Sequence, residues 1–151
     1  MRKVLNIHEV NEVSLDEVEI PTPGPKDVMI DVKACGICGS DLTYIKFGGI
    51  MRPPGGVTPI GHEAAGQVTF VGDEVEGVTL GQRVAINPMM TPSNIGSGGP
   101  EGAFTNKLMV SEAKIGDNLF PIPDDLPYDL AALTEPLAVA MHGVNRAEVK
   151  P

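Results

Sequence analysis

Glycine and proline interrupt this chain so often that a body of short strands and tight turns is the architecture left open to it. Eighteen glycines and 14 prolines fall among 151 residues, with no tryptophan. Both types end regular elements rather than extend them, and here they gather between short apolar runs. The length suits one domain with its own core. A hydrophobic fraction of 42% and a charged fraction of 21% are those of a folding chain, too apolar for a disordered one. No internal repeat or low-complexity tract is visible, and a composition shift near Leu126 is the one candidate boundary.

Val4–His8 and Val13–Ile20 read as strands of an opening hairpin turning at Asn11-Glu12, closed by the cluster Pro21–Pro25. From Asp27 the apolar residues Val28, Ile30, Val32 and Ala34 alternate with their neighbours, the period of a half-buried strand. That strand runs into Cys35-Gly36-Ile37-Cys38, after which Ser40 can cap a short helix from Asp41 to Phe47. Pro53–Gly56 reads as a loop, and Gly66–Val71, Arg83–Ile86 and Ala103–Val110 as strands. Asn87–Gly102, with four glycines and no apolar period, reads as a surface excursion. After Phe120–Pro123, Leu130, Leu133, Leu137, Val139, Ala140 and Val144 take helical spacing, and Pro136 suits a first helical turn.

Eleven basic against 20 acidic residues give a net charge of −9, which repels phosphate backbones and anionic membranes. Neither nucleic acid nor membrane is an expected partner. No apolar run has signal-peptide or membrane-spanning length, so a cytoplasmic protein is expected. Two cysteines three residues apart are too few and too close to staple a secreted fold, which points to a metal or redox role.

A catalytic zinc takes about three protein ligands from thiolate, imidazole and carboxylate and keeps a further position open. Cys38, His62, Glu63 and Glu135 are such donors, placed at a strand-to-helix turn, a glycine-framed loop and a helix start. Three other readings use fewer of them. Cys35 and Cys38 could form a redox dithiol or half of a zinc ribbon, but no second pair and no βαβ pattern accompany them. Cys38 and His62 could be a nucleophile and its base, which leaves Asp41, Glu63 and Glu135 without a role. Gly96-Ser97-Gly98-Gly99-Pro100-Glu101 lacks the third glycine and the helix of a dinucleotide-binding turn. His8 is expected to be an ordinary strand residue and His142 a helix-surface residue. Tyr44 and Phe47 either line a pocket or pack the short helix.

Gly61-His62-Glu63-Ala64-Ala65-Gly66, with Gly72 and Val75 following, resembles the zinc signature of the medium-chain alcohol dehydrogenases. Cys35–Leu42 (CGICGSDL), Gly81-Gln82-Arg83-Val84 and Thr134–Gly143 (TEPLAVAMHG) are similar to further segments of that family, the last to its sorbitol and threonine dehydrogenase branch. The resemblance implies a mainly β, GroES-like fold with a few helices, a partly open β-barrel, spanning 1–151 and including the start of a linker helix. The Rossmann nucleotide-binding domain that follows in the family is absent from this sequence.

The resemblance further implies Cys38, His62, Glu63 and Glu135 as zinc ligands, with either glutamate able to be the one bound directly. Asp41 would hold the ring of His62. Ser40 would relay the proton of the substrate alcohol, and Glu63 is counted with it among the catalytic residues. Thr43 stands where many members continue the relay with a histidine, leaving Thr43 or water for that step. No cysteine lies in Asn87–Gly102, so one catalytic zinc and no structural zinc is expected. The implied reaction is oxidation of a secondary alcohol or polyol through a zinc-bound alkoxide, with hydride passing to NAD or NADP. The full-length parent would be a homo-oligomer, and this chain alone would be inactive. A non-catalytic GroES-like binding module and a zinc-free reductase of the same superfamily are the rival readings.

Overall fold

The chain's structure is a computed structural model that describes residues 1–50, 56–92 and 94–148. Eight strands and three helices follow one another: β1 (Arg2–Glu9), β2 (Glu12–Val18), β3 (Val28–Gly36), α1 (Gly39–Phe47), β4 (Thr58–Pro59), β5 (Glu63–Val71), β6 (Arg83–Ile86), β7 (Lys107–Val110), β8 (Leu119–Pro121), α2 (Tyr128–Ala132) and α3 (Thr134–Arg146). The fold is mainly β, as expected. β2, β1 and β4 form one sheet in that order, and β7, β3, β5, β6 and β8 form the other. All pairings between these strands are antiparallel. The two sheets are not closed into a barrel. They are joined by a bridge between Val4 and Thr105 and by the bond from Leu5 N–H to the Phe104 carbonyl.

Several boundaries move from their expected places. The hairpin turns at Val10-Asn11, one residue early, because Asn11 adopts the left-handed conformation (φ 59°) that asparagine tolerates. β3 begins fully buried at Val28, Met29 and Ile30 rather than half-buried, since β5 and β7 flank it and core covers it. β5 starts at Glu63, three residues before the expected Gly66, and β7 starts only at Lys107. β4 carries no readable signal in two residues. The expected loop Pro53–Gly56 lies outside the described residues except for Gly56, as does Val149–Pro151.

The main core is built from Val28, Ile30, Val68, Val84, Ile86, Leu108, Val110 and Leu119, all of them buried, with Cys35 packed against its edge. A smaller cluster of Ala65, Ala131 and Ala132 seats α2 on β3 and β5. Small side chains are what allow that close approach.

Residues 87–102 do not behave as a surface excursion. Ile95 is fully buried and Glu101 only 3% exposed. Glu101 takes both terminal nitrogens of Arg2, at 2.5 and 2.8 Å, and Arg2 also donates to the Lys107 carbonyl at 3.0 Å. A two-pronged buried ion pair therefore ties the end of this segment to β1. The segment lacks apolar period because it is anchored through a charge and through glycine contacts rather than through an amphipathic face.

Candidate metal centre

β3 delivers the chain through Cys35 and Gly36 to Cys38, and the helix begins there. Cys38, not Ser40, is the N-cap of α1, with extended backbone (φ −87°, ψ 153°), and Ser40 lies within the first turn. Asp41 closes the turn in place of a hydroxyl. Its Oδ2 accepts the Cys38 N–H at 2.9 Å, which satisfies a donor that a helix start leaves unpaired.

The same carboxylate reaches the second ligand segment. Asp41 is 1% exposed, and its Oδ1 accepts the Gly61 N–H at 3.1 Å. One buried side chain thus fixes the cysteine turn against the glycine-histidine turn. Oδ1 also stands 3.6 Å from His62 Nδ1, close enough for charge attraction and too far for a hydrogen bond. Nδ1 is buried with no hydrogen-bond partner. Burial pushes the Asp41 carboxyl upward, but the His62 ring and the N–H groups of Cys38 and Gly61 outweigh it and hold it below the ordinary value. The neighbouring Asp41 carboxylate, against the opposing effect of burial and with help from Cys38, raises His62 to about 9.

Glycines shape the rest. Gly36 is paired in register with Glu63 across β3 and β5, and a Cβ at position 36 would overlap Glu63 Oε2. The carboxylate occupies the space that the missing side chain leaves. Gly61 takes φ +90° with Phe104 N 2.6 Å from where a Cβ would be, so a side chain there would be strained as well as crowded. Gly96 sits directly against Gly61 and His62, and its N–H donates to the Glu101 carbonyl at 2.7 Å.

The result is one cluster. A ligand atom from each of Cys38, His62 and Glu63 lies within 4.8 Å of the others, with His62 and Glu63 buried and Cys38 half-buried. Thiolate, imidazole and carboxylate at that spacing match the donor set and geometry that zinc accepts. With Nδ1 turned to Asp41, Nε2 is the nitrogen left for a metal. Glu135, in the first turn of α3, stands outside this trio. It is near enough to feel it: burial raises its carboxyl, the His62 charge lowers it and the Glu63 charge raises it. Glu135 also lines a cavity of about 370 Å³ with Ala85, Asn87, Phe120, Ala138 and His142.

Cys35 takes no part. Its thiol is pushed up to about 12, first by burial and then by the Asp41 and Glu63 charges. A thiol held protonated at neutral pH is a poor partner in a redox pair. Thr43 donates its hydroxyl to the Gly39 carbonyl at 3.0 Å. His8 bonds to Asp16 and Ser14 within the hairpin, and His142 is exposed on α3. Phe47 is 70% exposed and packs no core. The link from Asp41 to Gly61 and the supports at Gly36 and Gly96 were not legible, because they depend on which segments the fold brings together.

Fold and donor set together define a GroES-like domain of the kind that carries zinc in medium-chain dehydrogenases. Residues 24–124 match the family described as alcohol dehydrogenase GroES-like domain, and the chain belongs to it. It is 32% identical over 98% of its length to (R,R)-butanediol dehydrogenase of Bacillus subtilis, covering 48% of that protein. It is 31% identical over 99% of its length to sorbitol dehydrogenase of the same organism, covering 46%. L-threonine 3-dehydrogenase of Stenotrophomonas maltophilia is 32% identical over 94% of the chain, again with 46% of that protein covered.

Among solved structures, the 2R,3R-butanediol dehydrogenase of Bacillus subtilis superposes with a TM-score of 0.85 over 99% of this chain and 48% of its own, at 31% identity. A putative zinc-binding dehydrogenase from Sinorhizobium meliloti bound to NADP gives 0.80 at 30% identity, over 97% of this chain and 45% of its own. The chain spans about half the length of the relatives it matches.

Proposed function

We propose that this chain is the metal-holding half of an NAD(P)-dependent zinc dehydrogenase acting on a secondary alcohol or polyol. The observation that carries the reading is the trio of Cys38, His62 and Glu63, with Glu135 of α3 near enough to feel the charges of His62 and Glu63. These four residues would hold the zinc. A zinc ion so placed supplies a positive charge that acidifies a coordinated alcohol and makes loss of hydride easier. Asp41, 3.6 Å from Nδ1, would draw that side of the His62 ring toward its charge and leave Nε2 for the metal. Ser40, two residues after Cys38 in the first turn of α1, would take the hydroxyl proton. Thr43 donates its hydroxyl to the Gly39 carbonyl, and water would carry the proton on from Ser40. The nucleotide is held by a domain outside this sequence, and this chain alone turns over no alcohol. The named relatives are dehydrogenases of butanediol, sorbitol and L-threonine, which supports a polyol or amino-alcohol substrate.

The test is elemental analysis of the chain purified without chelator, beside a Cys38→Ser/His62→Ala variant. The expected result is about one zinc per chain, lost in the variant. A folded wild type without metal would sink the zinc reading and favour a binding module. Steady NADH production from alcohol by this chain would overturn the assignment of nucleotide binding to another domain.

A further inference from the structure

Glu135 differs from the other three donors in how it is held. Cys38 and His62 are fixed by Asp41, and Glu63 by the β3–β5 pairing. Glu135 begins a helix in which no side chain is buried. α3 touches β5 and β6 only lightly, so its place depends also on what comes just before it. α2, whose Ala131 and Ala132 seat on Ala65, leads into α3 through Leu133.

One residue grips the entry to α2. From β6, Arg83 donates Nη1 to the Pro123 carbonyl at 2.7 Å and also to the Asp124 carbonyl, and Nη2 to the Leu126 carbonyl at 2.5 Å. Its guanidinium carbon lies 4.3 Å from the centre of the Tyr128 ring, the first residue of α2. The backbone closes the same corner, with Ile122 N–H donating to the Arg83 carbonyl at 3.1 Å. A flat fork that satisfies three carbonyls while stacking on an aromatic face is specific to arginine. β6 is also bonded to β5, the strand that Glu63 begins.

We propose that Arg83 is a positioning residue for Glu135, registering α2, and through it the start of α3, against the strands that carry the other donors. The proposal rests on the metal reading above.

Cobalt(II) is the probe, titrated into the wild-type chain, Arg83→Met, Glu135→Gln and the double variant. Affinity is read by chelator competition, geometry by the visible absorption bands at saturation, and folding by the unfolding midpoint. The expected result is that Arg83→Met weakens cobalt roughly 10- to 100-fold, the range for groups that orient ligands. Its bands should shift in the direction seen for Glu135→Gln, and the double variant should bind no more weakly than Glu135→Gln alone. Wild-type affinity and bands in a folded Arg83→Met, or additive losses in the double variant, would overturn the proposal.

If Arg83→Met fails to fold, Arg83→Lys takes its place. It keeps the charge without the fork and should show the same band shift, whereas wild-type bands would count against the proposal. Wild-type behaviour of Glu135→Gln, with metal still lost in Cys38→Ser/His62→Ala, would remove Glu135 and this proposal while leaving the metal site. A wild-type chain that takes up no cobalt would remove both.

Discussion

Gly36 shows how a single missing side chain can set a metal site. Its hydrogen atoms leave the space that Glu63 Oε2 fills, so Gly36→Ala is expected to push the carboxylate out of the trio. The carboxylate is the end of a flexible side chain and can move, so the cost should fall on metal affinity rather than on folding. Zinc competition assays should show weaker binding, with an unfolding midpoint within about 1 kcal/mol of wild type; an unchanged affinity would refute this. His62 gives a second expectation, for the chelated protein. Its folded value of about 9 lies above the ordinary 6.5, mainly because of Asp41. The folded state therefore holds the proton more tightly, and the resulting stability is fully present below about pH 6.5 and lost as pH rises through about 9. Denaturant unfolding at about pH 6 and about pH 9.5 should show that loss in wild type and a smaller one in His62→Gln. Zinc needs the neutral ring, so its affinity should rise over the same interval.

At the scale of elements, the expected strand Arg83–Ile86 and the terminal helices were legible because local pattern decided them. A short apolar run marks the strand, and Pro136 marks a helix start. Cys38, His62 and Glu63, which the structure brings together, were named from their types and from the family resemblance, while Glu135 stands outside the trio. Residues 87–102 were misread, because nothing local announces that Glu101 is buried against a residue at the other end of the chain. That pair yields a sharp expectation. Arg2→Met strands the Glu101 carboxylate, which should cost about 3–5 kcal/mol, whereas Arg2→Met with Glu101→Leu should cost clearly less. Urea unfolding of the three proteins measures it, and an equally damaging double replacement would show that the segment is not held through this pair. The start of the first helix was misplaced for a related reason. Ser40 carries the usual cap chemistry, yet the Asp41 carboxylate is the group that does the capping.

For the molecule as a whole, α3 is lightly packed: it touches β5, β6 and α2, yet none of its residues is buried. Leu137, Val139, Met141 and Val144 are each more than half exposed, and Leu133, Leu137, Met141 and Val144 recur at spacings that put them along one side of the helix. Among the described residues, no helix is long and apolar enough to cross a membrane, and an apolar stripe of this kind marks a surface made for contact. Leu137→Gln and Val144→Gln should each shift folding stability by less than about 0.5 kcal/mol while making the chain more soluble. A larger loss, read by thermal unfolding, would mean that α3 packs more tightly than its exposure indicates. The buried guanidinium of Arg2 has a different consequence, one that concerns the order in which the chain is made. Arg2 leaves the ribosome 99 residues ahead of its partner Glu101. The hairpin that carries it can zip early, but its positive charge stays in water until those residues have followed. Translation speed between the two, or a chaperone resting on that hairpin, would then govern how much of the nascent chain reaches the folded state.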